Sequence, residues 1–129
     1  MIFLDANFLI SFFVNKEDNH ERAVEIAKTI ENEEKIISKL VIAETITILK
    51  KKLSTKDIIK IYNILQDFTT AEDTHLFDKA FEEFVKYDGS ISFFDSVYIV
   101  IMQEFDIYKI ASFDEDFENK KGIMRIYWL

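Results

Sequence analysis

The chain begins with the stretch MIFLD at residues 1–5, a short apolar run that ends at an acid. Four apolar residues bounded by a polar one are typical of a buried strand. In open parallel α/β sheets, ligands bind at the carboxyl ends of the strands, which is where Asp5 stands. The same side chain is also well suited to cap a short helix that follows it. The stretch therefore predicts a buried first strand with an acid at its carboxyl end.

The rest of the chain alternates between short apolar runs and amphipathic segments. The predicted strands are Met1–Leu4, Lys35–Ser38, Phe68–Ala71, Tyr108–Ser112 and Met124–Trp128. The predicted helices are Asn7–Val14, Asp18–Glu31, Leu40–Lys52, Ser54–Gln66, Thr74–Tyr87 and Phe93–Phe105. Strands separated by helices predict βαβ units and a parallel sheet. We therefore expect a single α/β domain over residues 1–129.

Two helices are expected to supply much of the core. Residues 93–105 are apolar almost all round, which predicts a buried helix. Phe77, Phe81 and Phe84 recur at helical spacing and are interpreted as one core-facing stripe. The two histidines, His20 and His75, stand near helix starts in polar surroundings and are expected to be exposed to solvent.

The composition excludes several kinds of site and compartment. There is no Cys, so disulfides, thiolate zinc sites and cysteine nucleophiles are excluded. With 24 acidic and 16 basic residues the net charge is −8, which argues against broad electrostatic binding to nucleic acid or membranes. Phosphate chemistry in such a chain needs metal cations to offset the charge. The absence of a basic N-terminal segment and of a long apolar run predicts a cytoplasmic protein with no signal peptide and no membrane span.

Four acids interrupt apolar segments instead of lying on polar helix faces. Asp114 follows the predicted fourth strand, as Asp5 follows the first, and Asp116 comes two residues later. Asp95 opens the most apolar helix, and Glu44 lies within the apolar helix over 40–52.

Each of these acids also has a structural interpretation. Asp5 caps a helix, Asp95 is favoured by the helix dipole, and Asp114 is a polar turn residue. Glu44 forms a polar stripe with Thr45 and Thr47.

Taken together, the four acids favour a functional interpretation over these structural ones, because all four can point into one crevice above the sheet. Crowded carboxylates repel one another and raise one another's pKa, and Mg²⁺ or Mn²⁺ relieves that repulsion. Such a site can activate water against a phosphodiester.

At this point the chain resembles the PIN domain family, the nucleases that include VapC-type toxins. The matching motifs are LDAN at residues 4–7, the segment Ser38–Thr45, FDS at 94–96 and ASFDEDF at 111–117. They occur in the family's order and cover essentially the whole chain. The resemblance implies a three-layer α/β/α fold with a central parallel sheet of about five strands.

The resemblance also implies a site and an activity. The metal ligands it implies are Asp5, Glu44, Asp95 and Asp114, with Asp116 as an auxiliary acid and with Asn7 and Ser112 orienting ligands or waters. The implied activity is Mg²⁺- or Mn²⁺-dependent cleavage of RNA that leaves a 5′-phosphate and a 3′-hydroxyl. Small members are homodimers, and toxins pair with an antitoxin protein. Ser96 departs from the family pattern, in which a small apolar residue is common.

Other interpretations remain open from the sequence. The chain could be a PIN-like scaffold that binds a partner without cutting, or an RNA-processing nuclease that is not a toxin. A receiver-type phosphoacceptor is similar in size, but it pairs acids after its first strand, where Asp5 stands alone. The basic cluster of Lys50–Lys52, Lys56 and Lys60 is either a solvated helix end or a contact for RNA phosphates. The surplus of apolar side chains, including Phe12 and Phe13, favours a homodimer.

Overall fold

The centre of the fold is a five-stranded parallel sheet, seen in a computed structural model that describes residues 1–128. The strands are β1 (Ile2–Leu4), β2 (Lys35–Ser38), β3 (Thr69–Ala71), β4 (Lys109–Ala111) and β5 (Met124–Ile126). Their order across the sheet is β3-β2-β1-β4-β5, and every neighbouring pair is parallel. The predicted α/β fold with a parallel sheet of five strands is confirmed. Leu129, the last residue of the predicted domain, lies outside the described residues.

Over the part of the chain that the structure describes, six helices pack on this sheet in a three-layer α/β/α arrangement. They are α1 (Ala6–Phe13), α2 (His20–Thr29), α3 (Lys39–Leu49), α4 (Thr55–Leu65), α5 (Phe77–Lys86) and α6 (Phe93–Glu104). The side chains of Ser38, Ser54 and Ser92 accept backbone N–H bonds at the starts of α3, α4 and α6, which fixes where these helices begin. Within residues 1–128 no helix combines the length and apolar character that crossing a membrane requires.

Most of the elements are one or more residues shorter than predicted, and two of these differences have a clear cause. Residues 74–76 form a turn of 3₁₀ helix before α5, so the predicted helix over Thr74–Tyr87 is divided. The fifth strand ends at Ile126, because its partner β4 ends at Ala111, the residue that pairs with Ile126. Tyr127 and Trp128 therefore lie outside the strand.

The core is built around β1 and α6, as the sequence predicts. Every residue of β1 is buried, and so is the α6 segment from Asp95 to Met102. The prediction for Phe81 is wrong, because its side chain is 57% exposed while Phe77 and Phe84 are half-buried. Helix α5 packs on α6 through Ala80 and through the rings of Phe77 and Phe84, which contact Phe93. Phe81 lies outside this contact and stacks on Phe84, with the ring centroids 6.1 Å apart.

Two further sequence expectations need correction. His75 is exposed as predicted, but His20 is half-buried, because its Nδ1 lies 2.8 Å from the Ser11 carbonyl oxygen at the end of α1. Phe12 and Phe13 are also half-buried, packed edge to face and against the core. These two rings are therefore part of the fold and not free apolar surface.

Candidate active site

The sheet topology brings the predicted acids to one edge. Asp5 directly follows β1, and Asp114 follows β4, the neighbour of β1, with Leu4 paired to Ala111. Glu44 lies on α3, which begins directly after β2, the neighbour of β1 on the other side. Asp95 lies in the first turn of α6. Parallel strands carry their carboxyl ends to the same edge, so acids placed after β1 and β4 meet there.

Three of the acids converge. One carboxylate oxygen from each of Asp5, Asp95 and Asp114 lies within 4.8 Å of the other two. Asp5 is 3% exposed, Asp95 is 5% exposed and Asp114 is half-buried. The cluster is thus largely withdrawn from water, which is unusual for three like charges.

Asp5 carries both of the roles that the sequence left open. Its Oδ1 accepts the Ala6 N–H at 2.8 Å, which caps α1. Its Oδ2 accepts the Ser112 hydroxyl at 2.6 Å, from the residue directly after β4. The helix cap and the bond from Ser112 therefore use different oxygens of one carboxylate.

Asp114 is held by the loop after β4. Its backbone N–H donates to Ser112 Oγ at 3.0 Å, and its Oδ1 accepts the Asp116 N–H at 2.9 Å, which caps the short 3₁₀ helix at residues 115–117. Asn7 Oδ1 accepts the Phe113 N–H at 3.0 Å. Ser112 and Asn7 therefore fix the loop that carries Asp114 relative to the end of β1.

Asp95 and Asp116 complete this side of the site. Asp95 is the third residue of α6, and its backbone N–H donates to Ser92 Oγ at 3.0 Å. The side chains of Asp116 and Asp114 both act on the Asp95 carboxyl and raise its pKa. Asp116 thus stands beside the three converging acids, on the loop that also carries Asp114.

Glu44 stands at the margin of the cluster. It is half-buried, and its charge reaches both Asp5 and Asp114. Its Oε1 accepts the hydroxyl of Tyr98 at 2.8 Å, a contact that the sequence analysis missed. The alternative of a polar stripe is wrong, since Thr45 is fully buried while Thr47 is exposed.

Burial and crowding change the protonation of the cluster. The pKa of Asp5 is raised to about 7, chiefly by burial; the hydrogen bond from the Ser112 hydroxyl lowers it, and the charges of Glu44 and Asp114 raise it. Burial, and then the charge of Asp5, raises the pKa of Asp95 to about 10. Burial also raises the pKa of Glu44. The ion pairs found among residues 1–128 include none of these acids, so the metal-free cluster lowers its charge by keeping protons.

This donor set fits a hard divalent cation. Carboxylate oxygens are the ligands that Mg²⁺ and Mn²⁺ prefer. Two oxygens bound to one Mg²⁺ lie at most about 4.2 Å apart, twice the usual ligand distance of about 2.1 Å. The oxygens of Asp5, Asp95 and Asp114, within 4.8 Å of one another, reach that spacing with small side-chain rotations.

The basic cluster spans the turn between α3 and α4 and continues into α4, which carries Lys56 and Lys60. Lys50, Lys51, Lys56 and Lys60 are exposed. Lys52 forms an ion pair with Glu17 at 3.3 Å. Whether this basic cluster is a helix end in solvent or a contact for RNA stays open.

Comparisons with known proteins agree with this fold. The sequence profile of the PIN domain family matches residues 2–123. VapC20 from Mycobacterium tuberculosis, described as a sarcin–ricin loop cleaving toxin, has a similar structure, with a TM-score of 0.81, 22% identity and coverage of 90% of this chain and 92% of that chain. FitAcB from Neisseria gonorrhoeae gives a TM-score of 0.62 and 17% identity, over 89% of this chain and 88% of that one. No curated protein matches the sequence.

Proposed function

The chain belongs to the PIN domain family, and on that premise we propose that it is a Mg²⁺- or Mn²⁺-dependent endoribonuclease, the toxin of a toxin–antitoxin pair. The observation that carries the proposal is the convergence of Asp5, Asp95 and Asp114, whose carboxylate oxygens lie within 4.8 Å of one another without a cationic partner among the described residues. Buried carboxylates in this arrangement favour a bound cation.

The residues of the cluster have distinct parts in this proposal. Asp5, Asp95 and Asp114 hold the cation, and Glu44 and Asp116 contribute from its margin, directly or through water. When bound, a hard divalent cation offsets charge on the phosphodiester and makes water a better nucleophile near neutral pH. A bond forms between the water oxygen and phosphorus, the P–O3′ bond breaks, and the proton given up by water balances the one taken up by the 3′ oxygen.

Ser112 and Asn7 act by positioning. The Ser112 hydroxyl bridges the Asp5 carboxylate and the Asp114 backbone, and Asn7 fastens the same loop through Phe113. Loss of a group that orients a metal ligand typically lowers metal affinity or activity by about 10- to 100-fold. We therefore assign these two residues to the geometry of the acids and not to the chemical step.

RNA is the substrate that the comparisons favour. VapC20, which has a similar structure, is a toxin that cleaves the sarcin–ricin loop. Because the net charge is −8, the protein repels the phosphates of an approaching RNA strand. A bound cation would also reduce this repulsion at the site. An antitoxin partner, a homodimer and a cytoplasmic location belong to the same proposal.

The test is cleavage of end-labelled structured and single-stranded RNAs by purified protein. We expect cuts with Mg²⁺ or Mn²⁺, none with a chelator, and products that carry a 5′-phosphate and a 3′-hydroxyl. Cleavage that survives chelation contradicts the metal mechanism. Mn²⁺ binding without cleavage of any RNA favours the non-cutting scaffold instead.

A matched pair of variants separates this site from general effects of removing a buried charge. Asp95→Asn removes an acid of the cluster. Asp73→Asn removes an equally buried acid whose Oδ2 accepts the Leu40 N–H at 2.9 Å, outside the three converging acids. We expect the first substitution to abolish cleavage and the second to leave it near the wild-type rate.

A further inference from the structure

Tyr98 is a buried tyrosine whose hydroxyl contacts one of the predicted site acids. The residue is 0% exposed, and its hydroxyl donates to Glu44 Oε1 at 2.8 Å. The two residues are 54 positions apart in sequence and lie on different helices, α6 and α3. A buried hydroxyl and a half-buried carboxylate both need a partner, and each supplies the other's.

The ring of Tyr98 is fixed by the elements that carry the other acids. Tyr98 lies three residues after Asp95 on α6, so the two share one side of that helix. Its ring packs against Phe3 of β1 with the centroids 5.3 Å apart, and Phe3 is two residues before Asp5. The hydroxyl therefore has a set position relative to both Asp5 and Asp95.

Glu44 lacks such support from its own helix. Its side chain has three rotatable bonds, and its exposed part faces solvent. The Tyr98 hydroxyl is the hydrogen-bond donor found for its carboxylate among the described residues. Without that bond, the carboxylate is free to turn away from the acid cluster.

We propose that Tyr98 is a positioning residue that fastens one oxygen of Glu44 and thereby keeps the other available to the cation site formed by Asp5, Asp95 and Asp114. The inference rests on the proposed function, because it concerns the same metal site. It adds a residue that neither the predicted motifs nor the converging acids include. It also gives α6 two roles, because one turn of the helix supplies Asp95 and the next turn carries Tyr98, which orients Glu44.

The decisive variant is Tyr98→Phe, which removes only the hydroxyl and leaves the ring against Phe3. We expect the Mn²⁺ dissociation constant, measured by calorimetric titration, to rise about 10-fold, as is typical when an outer partner of a metal ligand is lost. RNA cleavage should fall at low Mn²⁺ and recover largely at saturating Mn²⁺. If the hydroxyl only stabilised the fold, its removal would lower the melting temperature and leave the Mn²⁺ dissociation constant unchanged.

Two controls define the effect. Tyr87→Phe removes the hydroxyl of a half-buried tyrosine at the end of α5, and we expect it to bind Mn²⁺ like the wild type. In a Glu44→Gln background, Tyr98→Phe should weaken Mn²⁺ binding little further, because the acid that it positions is already lost. Tyr98→Leu supplies a second side chain without a hydroxyl should Tyr98→Phe fail to fold.

The outcomes separate this inference from the proposed function. Wild-type protein that binds Mn²⁺ and cleaves RNA, together with a folded Tyr98→Phe or Tyr98→Leu variant of unchanged Mn²⁺ affinity, overturns the part given to Tyr98 and leaves the proposed function standing. Wild-type protein that neither binds Mn²⁺ nor cleaves RNA overturns both.

Discussion

At the scale of single residues, two acids of the candidate site also hold the fold locally. Asp5 caps α1 through Oδ1 and meets Ser112 through Oδ2, and Asp114 caps the 3₁₀ helix through Oδ1. An asparagine preserves the cap because its side-chain oxygen also accepts an N–H bond. It lacks the charge that a hard cation requires. The two roles can therefore be separated by substitution.

We predict that Asp5→Asn and Asp114→Asn fold without metal and that each lowers the cleavage rate at least about 100-fold. Loss of a residue that only orients a metal ligand already lowers activity by about 10- to 100-fold, and a ligand itself should matter at least as much. The melting temperature without metal should hold or rise, because one repelling charge is gone. Stabilisation by Mn²⁺, read from the shift in melting temperature, should shrink. Variants that retain both cleavage and Mn²⁺ stabilisation would show that these acids are structural only.

The protonation of the cluster predicts an unusual dependence of stability on pH. Asp5 and Asp95 have pKa values of about 7 and about 10 in the folded protein, against about 3.9 in an unfolded chain. The folded state thus binds more protons between these values, so the free energy of unfolding falls as pH rises. The stabilisation is complete below about pH 4; the part due to Asp5 is lost through pH 7, and the part due to Asp95 continues to fall above it.

We therefore expect metal-free protein to melt at least about 3 °C higher at pH 5 than at pH 8, and Asp95→Asn to reduce that difference. Thermal unfolding followed by circular dichroism in the presence of a chelator measures both. Because general charge repulsion also grows with pH in a chain of net charge −8, the comparison with Asp73→Asn is the control. An equal pH effect in Asp95→Asn and wild type would contradict the assignment to the cluster.

Some of the site could be read from the sequence and some could not. Asp5 and Asp114 were predictable because an acid directly after an apolar run marks the end of a strand, and strand ends meet at one edge of a parallel sheet. The bond between Tyr98 and Glu44 was not, since it joins two helices 54 residues apart and Tyr98 looks like one more apolar residue of α6. Contacts of that kind depend on how the helices pack.

At the scale of elements, α3 connects the sheet to Glu44, and its start is fixed twice. Ser38 Oγ accepts the Val41 N–H at 3.3 Å, and Asp73, which follows β3, accepts the Leu40 N–H at 2.9 Å. These bonds satisfy N–H groups that a helix start leaves without partners. The strand β3 therefore helps to place the helix that carries Glu44.

We predict that Asp73→Ala lowers the free energy of unfolding by about 1–2 kcal/mol, as loss of a helix cap does, while Asp73→Asn lowers it by much less. Urea denaturation measures both values. Equal losses in the two variants would mean that the charge of Asp73, and not its acceptor oxygen, holds α3.

Element boundaries and outward-facing aromatics were the less predictable part of the fold. Local pattern predicted the strands and helices found in residues 1–128, because each shows a distinct period or a cap such as Ser38 or Ser54. It did not place Phe81, since a stripe of aromatic residues on α5 is wider than the surface that α6 covers. Which ring lies outside is decided by the crossing of two helices, which no local period encodes.

At the scale of the whole molecule, exposed apolar side chains bear on self-association. Phe81 and Val85 are more than half exposed on α5, whereas Phe12 and Phe13, which first suggested a surplus, are packed in the fold. We predict a homodimer, with a mass near twice 15.3 kDa by light scattering at micromolar concentration. A single species of 15.3 kDa across that range would contradict it.

The central claim is that Asp5, Asp95 and Asp114 together bind a divalent cation. The most direct measurement is anomalous X-ray diffraction from crystals of the protein grown with Mn²⁺. The account predicts an anomalous peak within coordination distance of all three carboxylates, absent from crystals of Asp95→Asn. Crystals at saturating Mn²⁺ with no peak among these residues, or with the same peak in Asp95→Asn, would contradict it.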